Sequence, residues 1–123
     1  MGITCEHLVW NLQPGGGLMA LGITRLNVAK RPRVGIISSG DEVIPPEEDM
    51  EPGQVRDVNS YSLSALVQEA GGTPVRYGII PDQLESMNAV AEKARSENDL
   101  VVITAGSSAS SRDLTALVID QLG

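Results

Sequence analysis

Residues 99–113, Asp-Leu-Val-Val-Ile-Thr-Ala-Gly-Ser-Ser-Ala-Ser-Ser-Arg-Asp, admit few architectures. Leu100, Val101, Val102, Ile103 and Thr104 form a short apolar run rich in β-branched side chains and bounded by turn formers, the pattern of a strand buried on both faces of a parallel sheet. The run gives way at once to the small and hydroxyl-bearing residues 106–111, and then to Leu114, Leu117, Val118 and Leu122 at helical spacing. A strand that passes through a Gly/Ser loop into a helix can hold an anionic group, because unpaired N–H groups and the positive end of the helix dipole converge there. The same composition also makes an ordinary connector, so this loop alone leaves both readings open.

With 123 residues and 13.0 kDa, the chain has room for one core and one sheet. No phenylalanine and an aromatic share of 2% leave Leu, Val, Ile, Met and Ala to build that core, which suits helices packed on a parallel sheet. The formal net charge of −7 and a pI near 4.5 argue against a nucleic-acid backbone or an anionic membrane surface as partner, since both attract clustered cations and the lysines are only Lys30 and Lys93. Cys5 is the single cysteine, so no internal disulfide forms and a reducing cytosol is compatible. No apolar run reaches the roughly 18 residues of a spanning helix, and the start lacks the basic and apolar stretches of a signal peptide. The expectation is a soluble, cytoplasmic protein.

Residues 1–30 read as a lead-in segment or the remnant of a preceding domain, broken at Gly15-Gly16-Gly17 and without clean periodicity over 18–28. Cys5 and His7 are spaced like half of a metal site, but His7 is the only histidine and no second pair exists, which disfavours a metal there. Arg31-Pro32 marks a boundary. Residues 34–39 read as the first strand, with Gly40-Asp41-Glu42 just past its carboxyl end. Residues 43–58 form a long non-periodic loop whose acids Glu47, Glu48, Asp49 and Glu51 read as a solvated surface. Asn59 or Ser60 then caps a helix whose apolar face is Leu63, Leu66, Val67 and Ala70 and which Gly71-Gly72 stops. In 74–80, Val75, Tyr77 and Ile79 alternate as a second strand. Asp82 and Glu85 have the spacing of a capping box for a helix carrying Leu84, Met87, Ala91 and Ala94, so Asp82 reads as a cap, a ligand group or both.

The order strand, loop, helix, strand, helix, strand, helix is βαβαβ, which with right-handed crossovers gives parallel strands in a three-layer α/β/α fold. Ligands of such sheets sit outside the carboxyl ends of the strands, and all three loops fall at that edge. Hydroxyls and N–H groups there suit a phosphate, and carboxylates suit a metal or ring donors.

Ser39-Gly40-Asp41-Glu42, then Gly53-Gln54-Val55-Arg56-Asp57-Val58-Asn59-Ser60, then Gly78-Ile79-Ile80-Pro81-Asp82, then Ala105-Gly106-Ser107-Ser108 and Arg112-Asp113-Leu114-Thr115 resemble the molybdopterin-binding domain. That domain occurs in molybdopterin molybdenumtransferases (MoeA-type), MogA-type adenylyltransferases and CinA-like proteins, and the resemblance covers residues 31–123. The long loop with Pro-Gly-Gln-Val-Arg-Asp favours the MoeA type. The resemblance implies molybdenum cofactor biosynthesis: molybdate inserted into adenylylated molybdopterin, with Mg²⁺ involved and AMP released. It implies catalytic roles for Asp41 and Asp57, a cation near Asp41, and ligand contacts from Ser39, Gly40, Glu42, Asn59, Asp82, Gly106, Ser107, Ser108, Ser110, Arg112 and Asp113. A regulatory pterin- or nucleotide-binding module of CinA-like type and a MogA-type adenylyltransferase are the alternatives. A homo-oligomer, a dimer, is the expected assembly. Two departures stand out. Ala105 replaces a glycine common in the third loop, and its methyl restricts backbone approach. The strands and Lys-bearing segment that follow the last helix in the family are absent, leaving Arg56 and Arg112 as the nearby cations of an acidic rim. The chain alone is therefore expected to lack turnover.

Overall fold

A computed structural model describes residues 2–4, 13–105 and 109–123. Two compact units emerge, Met1–Lys30 and Arg31–Gly123. In the first, β1 (Gly2–Thr4) pairs antiparallel with β2 (Arg25–Asn27), and α1 (Gln13–Ala20) lies between them in sequence. The three glycines expected to break the chain instead lie within α1. Pro14 stands in its first turn, where a missing N–H removes no intrahelical bond.

The second unit runs β3 (Arg33–Ser39), β4 (Val43–Ile44), β5 (Val55–Arg56), α2 (Asn59–Glu69), β6 (Thr73–Ile80), α3 (Leu84–Glu97), β7 (Leu100–Thr104) and α4 (Ala109–Leu122). Its main sheet is parallel in the order β6-β3-β7, as the βαβαβ reading requires. Ile37 on β3 meets Met87, Ala91 and Ala94 of α3 and Val118 of α4, all fully buried, with Val101, Ile103, Leu114 and Leu122 packed around them. Val34, Ile36 and Ser38 alternate to the opposite face, where α2 packs on β3 and β6.

Several local expectations are revised. The long loop carries a two-residue parallel pair, β4 with β5, in the register Val43↔Val55 and Ile44↔Arg56. Alternation along β6 fails at Gly78: Ile36 stands opposite Arg76 but Ser38 opposite Ile79, so one extra residue of β6 is accommodated. Gly78 has φ +85°, a conformation that costs other residues strain. Tyr77 and Ile80 consequently share the core face, while Ile79 turns to the α2 side. Leu66 is 59% and Leu117 is 52% exposed, so the apolar faces of α2 and α4 are narrower than their spacing implies.

The helix ends obey local chemistry. Gly72 N–H bonds Val67 O at 2.8 Å and Gly71 N–H bonds Gln68 O at 3.0 Å, with Gly71 at φ +87°, a paired C-terminal closure that stops α2 where Gly71-Gly72 predicts. At the N-terminus of α2 neither Asn59 nor Ser60 is the cap. Val58 occupies that position without a side-chain bond, and Asp57 supplies the acceptor instead. For α3 the cap position falls on Gln83, one residue beyond Asp82.

Candidate functional site

The carboxyl ends of β3 and β7 meet at a cavity of about 300 Å³. Ser38, Ser39 and Thr104 line it from the strands, Glu42 from the turn after β3, and Asp57 and Asn59 from the start of α2. Strand ends place these groups here for a simple reason: the last side chains of a parallel strand reach the edge where the covering helix begins. Gly40 makes the turn possible. It has φ +141°, and a Cβ there would stand 2.8 Å from Val43 Cγ2. The Gly40 carbonyl then accepts from Val43 N–H at 3.1 Å.

Asp57 is the hub of the buried polar groups. Its Oδ2 accepts from Ser38 Oγ at 2.9 Å and from Ser60 Oγ at 2.6 Å, and its Oδ1 accepts from Ser60 N–H at 3.1 Å. Thr104 Oγ1 donates towards Ser38 Oγ at 3.4 Å, and Ser39 Oγ towards Thr104 O at 3.4 Å, so a line of hydroxyls runs across the strand ends. A carboxylate satisfied by three donors at a helix start is built to hold geometry. Its expected catalytic role gains no support from this arrangement.

The remaining expected residues divide. Ser39, Glu42, Asp57 and Asn59 come together on the cavity. Asp41 and Asp82 come together beside it, with the Asp82 N–H donating to Asp41 Oδ1 at 3.1 Å. Asp113 does not join them: it borders a shallow groove on α4 with Leu117 and Asp120. Ser110 and Arg112 lie in the first turn of α4 or just after it, with side chains outside the described ones. Gly106, Ser107 and Ser108 lie outside the described residues, as do Cys5 and His7. Among the described residues no group of three or more His, Cys, Asp or Glu converges on one point, and no helix is long and apolar enough to cross a membrane.

Arg56, one of the two cations near the acidic rim in sequence, lines the cavity as well, and its guanidinium engages the preceding loop. Its Nε donates to Pro46 O at 3.0 Å and an Nη to Glu48 O at 3.1 Å. Ser38 and Thr104 were not singled out in sequence, although hydroxyls closing two otherwise apolar strands were a legible signal. On the α2 side lies a larger groove of about 590 Å³ between Ile44, Pro45, Pro46, Tyr61 and Ile79, with the Arg76 guanidinium 4.0 Å from the Tyr61 ring centroid. Glu48, Asp57 and Ser60 also border this groove, whereas the smaller cavity is the one that lies at the strand ends with Ser38, Ser39 and Thr104.

A family model described as "Probable molybdopterin binding domain" matches residues 35–123. The chain belongs to this family. A molybdopterin molybdenumtransferase of Nostoc sp. is 34% identical over 106 residues, which is 86% of this chain and 24% of that protein. That of Bacillus subtilis is 32% identical over the same length, 86% of this chain and 25% of that protein. The crystal structure of a molybdopterin biosynthesis MoeA protein from Pyrococcus horikoshii superposes with a TM-score of 0.75 at 39% identity, covering 89% of this chain and 27% of that one. A CinA protein from Thermoplasma acidophilum, at 18% identity and a TM-score of 0.55 over 73% of this chain and 52% of that one, shares the fold. The molybdopterin-binding domain described here thus spans about a quarter of the length of the curated transferases it matches. The sequence resemblance and the three-layer α/β fold are borne out.

Proposed function

We propose that this chain acts in molybdenum cofactor biosynthesis as the molybdopterin-binding part of a molybdenumtransferase, holding molybdopterin or its adenylylated form while molybdate is inserted. The observation that carries the reading is the 300 Å³ cavity at the carboxyl ends of parallel strands, where Ser39, Glu42, Asn59 and Thr104 converge. Hydroxyls of Ser39 and Thr104 suit acceptors of a pterin ring, and the Glu42 carboxylate suits its ring N–H donors. The phosphate belongs to the residues leading into α4, with Gly106, Ser107, Ser108 and Ser110 as donors. Arg112, near the start of α4, adds a cation to that end in this reading.

Mg²⁺ is accommodated on one condition. This cation is commonly held by one or two carboxylates together with substrate phosphates. Asp41 is exposed and already oriented by the Asp82 N–H, whereas no three-ligand cluster exists among the described residues. Asp41 would therefore hold the ion jointly with phosphate oxygens, where its charge would offset the acidic rim.

The test is the dissociation constant of molybdopterin, and of its adenylylated form, with and without Mg²⁺. Asp41→Asn is expected to abolish the Mg²⁺-dependent gain while changing stability by less than about 1 kcal/mol, as for an exposed loop acid. Ser108→Asp is expected to weaken phosphorylated pterin roughly tenfold more than a dephospho analogue, by repulsion at the helix start. Absence of saturable binding to the folded chain refutes the reading. Equal losses on both ligands place the phosphate elsewhere.

A further inference from the structure

Within the segment between β4 and β5 the bonds are local turns: Glu48 N–H donates to Pro45 O at 3.2 Å, Gln54 N–H to Glu51 O at 3.1 Å and Glu51 N–H to Gln54 Oε1 at 2.8 Å. Residues 45–54 include Pro45, Pro46, Pro52 and Gly53, carry no helix, and bury none of their side chains fully. The ends are tied by two backbone bonds, Val55 N–H to Glu42 O and Asp57 N–H to Ile44 O, both 2.9 Å. Beyond these the guanidinium of Arg56 reaches back across the loop and donates to Pro46 O and Glu48 O. Both contacts are to backbone carbonyls, so they fix the path of the chain rather than the rotamer of another side chain. The arm so braced is shared by two spaces. Glu42, Val43, Val55 and Arg56 line the 300 Å³ cavity, while Val43, Ile44, Pro45 and Pro46 line the 590 Å³ groove.

We infer that Arg56 is a positioning residue: its guanidinium clamps the arm from Val43 to Arg56 in the conformation that walls the pterin cavity, and it contributes through that clamp and not through charge on the ligand. The inference rests on the functional reading for its ligand half only. A clamp with two donors in a fixed fork has a specific signature, because lysine keeps the charge but cannot donate from two rigidly spaced nitrogens to two carbonyls. If the arm samples open forms when the clamp is lost, the apparent affinity falls by the fraction of time spent closed, with no change in the contacts of the closed form.

The experiment compares the unsubstituted chain with Arg56→Lys and Arg56→Ala. Amide hydrogen exchange of Val55 and Asp57, without ligand, is expected to accelerate at least threefold in both variants, while Ile37 in the core stays as it was and the urea midpoint stays within error. Molybdopterin binding at two salt concentrations is expected to weaken about three- to tenfold, equally for lysine and alanine, with an unchanged salt dependence. Full affinity with lysine, together with a shallower salt dependence with alanine, overturns the inference and makes Arg56 a direct cation for the phosphate. Unchanged exchange at Val55 and Asp57 also overturns it. If the unsubstituted chain binds no molybdopterin, the functional reading falls with the ligand half, and the exchange measurement still decides whether Arg56 clamps the arm.

Discussion

Replacing Asp57 by alanine measures what this carboxylate does. Asp57 is 7% exposed, and the hydroxyl donors it serves, Ser38 and Ser60, are 1% and 4% exposed. Its substitution removes the acceptor for Ser60 N–H at the start of α2, a loss of about 1 kcal/mol for a helix cap. It also strips the Ser38 and Ser60 hydroxyls of their acceptor, at about 1–3 kcal/mol for each hydroxyl that finds no substitute. Ser38 can turn its hydroxyl to donate to Thr104 Oγ1, 3.4 Å away, while Thr104 donates to Ile37 O, so its share lies at the low end. The expected loss is therefore about 3 kcal/mol, a large part of the roughly 5–15 kcal/mol that stabilises a domain. Asp57→Asn preserves the shape and one acceptor and should lose about half as much. Equilibrium urea unfolding followed by far-UV circular dichroism reads this directly. With a slope of about 1.5 kcal/mol per molar, the alanine midpoint should fall by about 2 M at unchanged slope. A loss below about 1 kcal/mol accompanied by failure to bind molybdopterin would refute the argument and make Asp57 a ligand contact.

Gly78→Ala should cost about 1–2 kcal/mol in the same assay, because φ is +85° while nothing lies within 4 Å of the added Cβ; a loss well above that would point to a collision instead of backbone strain. Tyr77 gives the pH test. Burial, and then its 2.6 Å bond to Glu97, hold its phenol above the ordinary 10.0, so its contribution to stability is complete below that value and disappears as pH rises through the raised pKa. A spectrophotometric titration should therefore lose a late-ionising step in Tyr77→Phe, and loss of a step at the ordinary tyrosine pH would contradict the assignment.

The main strands and helices were legible because their signals are periodic and local. The apolar run ending in Ser38-Ser39, the Gly71-Gly72 stop and the Met87, Ala91, Ala94 stripe each required only neighbours in sequence. Contacts at a distance were not legible. The register slip at Gly78 depends on how β6 lies against β3, and it reverses the facing of Ile79 with no change in local pattern. Asp57 could be read as an acid before a helix, but its partner Ser38 lies 19 residues away. The charge of Arg56 is visible in sequence, whereas the loop carbonyls that engage it acquire their positions only through folding. The rim expectation fares similarly: Asp41 and Asp82, 41 residues apart, meet, while Asp113 ends on another surface of α4.

The central place of β3 has a further consequence during synthesis. Both of its neighbours, β6 and β7, come later in the chain, so the run Val34-Gly35-Ile36-Ile37 leaves the ribosome with neither edge covered until β6 follows and with one edge open until β7 does. At about 5–20 residues per second this wait lasts several seconds, long enough for an apolar β-forming stretch to meet another nascent copy. Arg31, Pro32 and Arg33 stand immediately before it. Two charges and a residue that cannot donate to a sheet are the kind of flank that discourages pairing between chains. Neutralising both arginines should lower the yield of soluble protein during expression by more than the loss of the Arg33 Nε bond to Glu97 O accounts for.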